Sequence, residues 1–508
     1  NTSIGYLSLG ANTTAANNTA LGYASLNVNT TGADNTAIGS GALVANTTAS
    51  FNTGVGRSAL SSNTTGTALV ALGFQALENN VSDSDTIAIG TNAARNATSS
   101  GSVIVGSQAN STGVMTGDNN VIIGYQSGFN MTSASNNTAV GKDALLQNTT
   151  GGSNIAVGKG AGDAITTGGN NVAIGNDALG ANTTAGDNVA VGFESCLTNV
   201  TGTAITAIGR KSLRANTGSN NTAVGYNALI VNSSGVSNTA VGKGALDSNT
   251  TANNNTAVGD SSLGSNTTGS ENTAVGTNAL AANTTATDNT GLGVNALQLT
   301  TTGDDCTAVG RSSLEANTTG VQNTAVGRSA LAANTTAGQN TAMGESALVS
   351  VTTNGGNTAF GREAGKNVTG SHNTCVGNLT GHTITSGGNN LILGKGCDAS
   401  ASDAEVQLVL GANATCVGDG NFTIGNGSTD SNIQLGATSI TAPSDVRLKE
   451  DIQDEEVGLN FVNDLRPVTF LWKKEKDIPS DMKAYKEDSE ARTMNGKYNH
   501  GFIAQEVK

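Results

Sequence analysis

The nine residues Asn323-Thr324-Ala325-Val326-Gly327-Arg328-Ser329-Ala330-Leu331 decide the fold, because the chain keeps returning to them. Their glycine recurs at Gly5, Gly22, Gly39, Gly56, Gly73 and Gly90, runs on through Gly242, Gly259, Gly276, Gly293, Gly310, Gly327, Gly344 and Gly361, and reaches Gly411. Gly5 and Gly411 are 406 residues and 24 steps apart, and almost every step is 17 residues. The full consensus is N-T-A-V-G-x-x-A-L-x-x-N-T-T-G-x-x. A unit this short cannot bury a core alone, so its copies must stack. Turn-forming residues recur too often for helices. Each unit offers a strand-like Thr-Ala-Val before the glycine and a second short run through Ala-Leu, with turn-formers between. The expectation is a mainly β fold: a β-solenoid of about 24 turns over residues 1–411, with two short strands and two corners per turn. At ~4.8 Å per layer the shaft would be roughly 115 Å long.

Composition agrees. The 508 residues hold 68 glycines and 3 prolines, with 3% aromatic, 12% charged and 36% apolar residues. An enzyme of this length would carry more rings and charge, and a disordered chain fewer apolar residues. A net charge of −14 lacks the basic footprint of a nucleic-acid binder. The five cysteines (Cys196, Cys306, Cys375, Cys397, Cys416) are scattered without a C-x-x-C pair, and the three histidines lie far apart, so no disulfide framework, metal or cofactor is expected. No apolar run approaches the ~18 residues of a membrane span, so no membrane insertion is expected. There is no signal peptide, Asn1 enters in mid-pattern, and Lys508 falls inside a domain, so the sequence reads as a fragment at both ends.

Alternation in the strand predicts assembly. Ala325 points opposite to Thr324 and Val326. The Val position stays apolar (Ile38, Val55, Ile89, Val140, Val258, Val309, Met343, Phe360), and a leucine row follows four residues after the glycine (Leu26, Leu43, Leu60, Leu213, Leu246, Leu280, Leu314, Leu348). A thin coil has no room for Ala, Val and Leu rows together. At least one row should therefore face another subunit, in a parallel homotrimer. Eleven copies carry Asn-Thr-Thr, including Asn12, Asn29, Asn46, Asn63, Asn148, Asn182 and Asn334, formally glycosylation sequons. The repeat explains them as Asn at a left-handed corner, stacked on its copies; a glycosylated corner is the other reading. One Thr per strand, in place of a flat double row, argues against ice binding. No recurring carboxylate pair suggests glycan hydrolysis.

The repeat resembles the head repeats of trimeric adhesins and the N-T-A-V-G-x-x-A-L repeats of phage tail-fibre-like proteins. It fades after Gly411 into a β-rich transition at 412–443, with Asn421-Phe422-Thr423-Ile424-Gly425 and Ser431-Asn432-Ile433-Gln434-Leu435-Gly436. From Ser444 on, 14 acidic and 11 basic residues crowd into 65 positions, whereas the first 443 hold 24 and 13. Pro467, Pro479 and Trp472 lie here as well, with Pro443 just before. A separate α/β domain is expected, with a helix through Val457, Phe461, Val462 and Leu465 and a strand at Val468–Trp472. The run Lys473–Asp477 reads as a solvated loop.

Three motifs in this domain, Ser444-Asp445-Val446-Arg447-Leu448-Lys449-Glu450-Asp451-Ile452, Leu465-Arg466-Pro467-Val468-Thr469-Phe470-Leu471-Trp472-Lys473 and Gly501-Phe502-Ile503-Ala504-Gln505-Glu506-Val507, resemble the peptidase S74 domain. That family is an intramolecular chaperone capping phage tail spikes and fibres. The resemblance implies single-turnover autoproteolysis between Pro443 and Ser444, with no external substrate. Ser444 would be the nucleophile and Lys449 its general base; an N→O acyl shift at the Pro443 carbonyl fits equally. His500 would either orient the site or pack beside it. The partners implied are two further copies of the chain and a host-surface receptor, glycans included, at a virion tail fibre or spike. The alternative is a trimeric adhesin on an extracellular cell surface.

Overall fold

Thr and Val flanking a small Ala suit a short pleated strand with one inward residue. The computed structural model describes residues 1–436, 468–480, 485–492 and 499–501, in two units, Asn1–Ala442 and Pro443–Lys508. In the first unit, 25 short strands recur once per repeat, from β1 (Thr2–Ile4) through β16 (Thr256–Val258) to β25 (Leu408–Gly411). Each pairs in parallel with its copy one coil on, as Thr256 with Thr273, Ala257 with Ala274 and Val258 with Val275. The unit is a parallel β-solenoid. After a shortened coil, β26 (Asn421–Gly425) adds one more parallel strand, and β27 (Ser431–Gln434) turns back antiparallel against it.

Each coil has one strand, where two were expected. The Ala-Leu run is a turn in which Ser58 and Leu60 take left-handed backbone, with φ of 58° and 55°. The leucine row repeats this conformation, at φ 52° in Leu246 and 49° in Leu314. Left-handed backbone costs an L-residue about 1–2 kcal/mol. Two contacts hold it here. The Leu60 side chain is fully buried, contributing roughly 2–3 kcal/mol, and its N–H donates to the Ala76 carbonyl of the next coil at 3.1 Å. The turn thus keeps the inter-coil hydrogen bond that a strand would have made.

Five rows line the interior: the strand alanines, the Ala or Ser before each leucine, the leucines, and two ladders of asparagine, nearly all buried. In the first ladder, Asn35 Oδ1 accepts the Asn52 N–H at 3.0 Å, and Asn52 Nδ2 donates to the Gly66 carbonyl at 2.9 Å. The Asn-Thr-Thr residues form the second: Asn46 Nδ2 donates to Asn29 Oδ1 at 2.9 Å and to the Ala49 carbonyl at 3.0 Å. These asparagines are therefore interior rungs. The left-handed corner expected for them belongs instead to the residue before the first ladder, such as Asp34 at φ 58°. A buried amide is tolerated only when hydrogen-bonded. Where a rung is replaced, the substitute is often apolar, as in Leu69, Ile205, Ala97, Ile165 and Val351.

The glycine has no substitute. Gly56 sits at φ +136°, and a Cβ there would lie 2.3 Å from the Gly73 carbonyl oxygen. Glycine alone satisfies both the backbone and the axial spacing.

The second unit shows β28 (Val468–Phe470) antiparallel to β29 (Asn499–Gly501) and a 3-10 turn at Glu475–Asp477. The expected strand is shorter than Val468–Trp472, with the Trp472 ring set edge-on to Phe470 at 5.3 Å. The helix expected through Val457–Leu465 lies outside the described residues. Lys473–Asp477 is not a freely solvated run: Lys474 and Lys476 pair with Glu490, and Glu475 takes Lys486 at 3.1 Å and the Ser489 hydroxyl at 2.6 Å. These two lysines hold the exposed Glu490 carboxyl down at about 2.

Asn80 is the exception that tests the ladder: Ala97 follows it one coil on, and neither of its buried amide atoms has a partner. Asn80→Ala is expected to leave stability unchanged or raise it. Asn46→Ala leaves the buried Asn29 Oδ1 without its donor and takes one of two hydrogen bonds each from the Ala49 carbonyl and Asn63 Nδ2, at a cost of about 1–3 kcal/mol. Urea unfolding of the two variants measures the difference.

Candidate functional site

With Ala and Leu inside, the Val row is the one left facing outward. Ile89, Ile208, Phe360 and Leu410 remain 37–43% exposed, far above the Ala and Leu rows at zero. The stripe is one residue wide for most of the shaft. From β5 (Val70–Leu72) to β12 (Val189–Val191) it doubles, because the first strand position is also Val or Ile in seven of eight strands, Thr138 excepted.

Two charged rows flank this face. The position just after the repeat glycine holds nine of the 13 Lys and Arg residues in 1–443, Arg57, Lys142, Lys159, Arg210, Lys243 and Arg311 among them, with two acids, Asp260 and Glu345. Aromatic residues share the row. Arg57 lies over Phe74 at 5.7 Å, Arg210 lies over Phe193 and Tyr226 at 5.6 and 5.5 Å, and Tyr6 stacks on Tyr23 at 5.7 Å. On the other side, the two positions before the buried asparagine ladder hold nine acids, among them Asp34, Asp85, Asp187, Glu271, Asp288 and Asp305, and no Lys or Arg. The sequence carried this signal in the phase of the repeat; totals of charge conceal it.

Elsewhere the shaft offers little chemistry. Asp163 shares a coil surface with Asp177 and Asp143, and burial, then the Asp177 carboxylate, raises its carboxyl above the usual range. Among the described residues no group of His, Cys, Asp and Glu is arranged to hold a metal ion. All five cysteines are buried thiols. Cys196 replaces a leucine of the leucine row and Cys375 a strand alanine, and burial pushes both thiols up to about 12. The Asn-Thr-Thr amides from Asn29 on are likewise committed: the nitrogen that a glycan would need is buried and donating within the ladder.

Pro443, Ser444 and Lys449 lie outside the described residues. His500 is on β29, in register with Thr469 on β28. Val468 of the second motif thus pairs with Gly501, the first residue of the third. Residues 444–508 match the family Peptidase_S74, described as chaperone of endosialidase. Among curated proteins none matches the chain. A Peptidase_S74 chaperone domain thus follows a β-solenoid shaft. No helix among the described residues is long and apolar enough to cross a membrane.

A thiol reacts as its thiolate. In native protein at pH 8, Cys196 and Cys375 should therefore resist iodoacetamide, and both should alkylate in 6 M guanidinium, a concentration about that of full unfolding. Peptide mass spectrometry of the two samples reads the result.

Proposed function

We propose that the chain is the shaft of a homotrimeric tail fibre or spike that attaches a virion to a host-surface receptor, and that its Peptidase_S74 domain brings three chains together and then removes itself between Pro443 and Ser444. The observation that carries this reading is the joining of a solenoid striped with exposed apolar residues to a Peptidase_S74 match beginning at 444.

The physical need is clear. Parallel coils pair residues distant in sequence, which folds slowly and exposes unpaired edges. An apolar stripe running the length of a shaft favours burial against a partner over exposure to water. A domain that assembles three C-terminal ends supplies the starting point for that burial, and its later removal leaves the shaft kinetically trapped.

The cleavage chemistry follows from the residue types. Ser444 Oγ would attack the Pro443 carbonyl while Lys449 takes the hydroxyl proton and passes it to the Ser444 nitrogen as the C–N bond breaks. The ester so formed is then hydrolysed by water, which frees the Pro443 carboxylate. Lysine is a base near neutral pH only if its ordinary pKa of about 10.4 is lowered by burial. A serine beside such an amine is an activated nucleophile.

The expected product ends at Pro443 and is absent from Ser444→Ala and Lys449→Ala. Intact-mass analysis of the assembled wild type finding only uncut junctions would overturn self-cleavage. Val258→Asp, which sets a charge in the apolar stripe, should weaken assembly by light scattering.

A further inference from the structure

We infer that the strand face of the solenoid seats a second copy of the same chain running in the same direction, with the acidic edge of each copy against the cationic edge of the next. This rests on the trimeric reading above and specifies its geometry.

Across one coil the outward positions run from acidic corner to Thr, then Val, then the residue after the glycine. The apolar stripe therefore lies between edges of opposite sign. All nine cations are exposed, as are eight of the nine acids, with Asp304 half-buried. Among the described residues, six of the nine cations and all nine acids enter no ion pair within the chain; only Lys142, Arg328 and Arg362 are paired. These charges are thus available to a partner.

Symmetry then selects the direction. Rotating a copy about an axis parallel to the shaft and closing the faces brings its acidic edge onto the other's cationic edge. Rotating it about an axis across the shaft, which makes the copies antiparallel, sets acid on acid and cation on cation. A face of this polarity is complementary only to a parallel copy. Around a threefold axis the contact is heterologous, so each chain offers one edge to each neighbour. The sequence repeats a matching offset: Asp34 and Arg57, Asp187 and Arg210, Asp288 and Arg311, and Asp305 and Arg328 are each 23 residues apart, one coil out of step. In a closed ring all three copies stand at one height, so each of these four arginines would meet the neighbour's acid one coil away, about 4.8 Å along the shaft. The doubled apolar stretch from β5 to β12 supplies the widest dry contact on the same face.

The test uses the full chain. One variant carries Arg57→Glu, Arg210→Glu and Arg311→Glu; a second carries Asp34→Lys, Asp187→Lys and Asp288→Lys; a third combines all six. Sedimentation should show each of the first two dissociating at concentrations about tenfold above those at which wild type stays assembled. The third, with its edges exchanged but complementary again, should recover. Circular dichroism confirms that all three keep the β fold, and a donor and acceptor placed at Thr2→Cys should show energy transfer between copies, since parallel N-termini lie together. Assembled wild type whose variants all behave alike, or which gives no transfer at Thr2→Cys, would overturn this inference while leaving the trimer intact. A wild type that sediments as a monomer would overturn the trimeric reading itself.

Discussion

Everything in the shaft depends on the axial spacing of its coils. At the repeat glycine, successive backbones approach so closely that a Cβ on Gly259 would stand 2.6 Å from the Gly276 carbonyl. Parallel strands demand about 4.8 Å between layers, and the glycine row is where the turning backbone meets that demand with no side chain to spare. Once the spacing is set, each phase of the repeat becomes a straight row. A residue's environment is then its own copies above and below. The alanines, leucines and asparagines are buried because their rows point inward, and a single substitution disturbs mainly its two neighbouring coils.

The choice of residues for the inward rows follows from which backbone groups each coil leaves unpaired. One short strand per coil cannot satisfy every N–H and C=O at the corners, and burial makes each orphan costly. The asparagine ladders answer this. Asn52 Nδ2 donates to the Gly66 carbonyl, and its Oδ1 accepts the Leu69 N–H at 3.0 Å. A hydrocarbon row would fill the same volume and leave those groups bare. The interior is therefore partly polar by necessity, which is why so low an apolar fraction suffices to fold so long a chain.

Period, parallel stacking and an outward apolar row were all legible in the sequence, because a 17-residue repeat broken by glycine admits few other folds. The leucine turn was not. Leu43 and Leu60 read as strand residues by type, and only burial in a row of leucines overrides their backbone preference. The Asn-Thr-Thr triplets were misplaced for a related reason: asparagine is ordinarily a surface turn-former, and nothing local announces that its amide is matched inside. The expected processing site rests on motif order alone, and its residues lie outside the described ones. A serine and a lysine five residues apart occur by chance in most chains, and no spacing rule distinguishes Ser444 and Lys449 without the segments around them.

The perfection of the repeat creates a problem that the shaft cannot solve. If copies associate along the stripe, sliding one past another by a whole coil restores nearly the same contacts. Apolar rows of Val and Ile record no position, and register is weakly specified wherever the contacts repeat. Two features break the degeneracy. The charged edges are irregular, since Arg57, Lys142 and Arg210 occupy some coils and Ser40, Thr91 and Thr277 others, so a slipped pair would mismatch along its length. The domain beginning at 444 occurs once in the chain and follows the shaft in sequence, so in the proposed trimer a contact among three copies of it would fix the height at which the coils begin to pair. Irregular charge selects against wrong registers after contact, whereas a terminal chaperone prevents them before it. A long uniform shaft gains from having both.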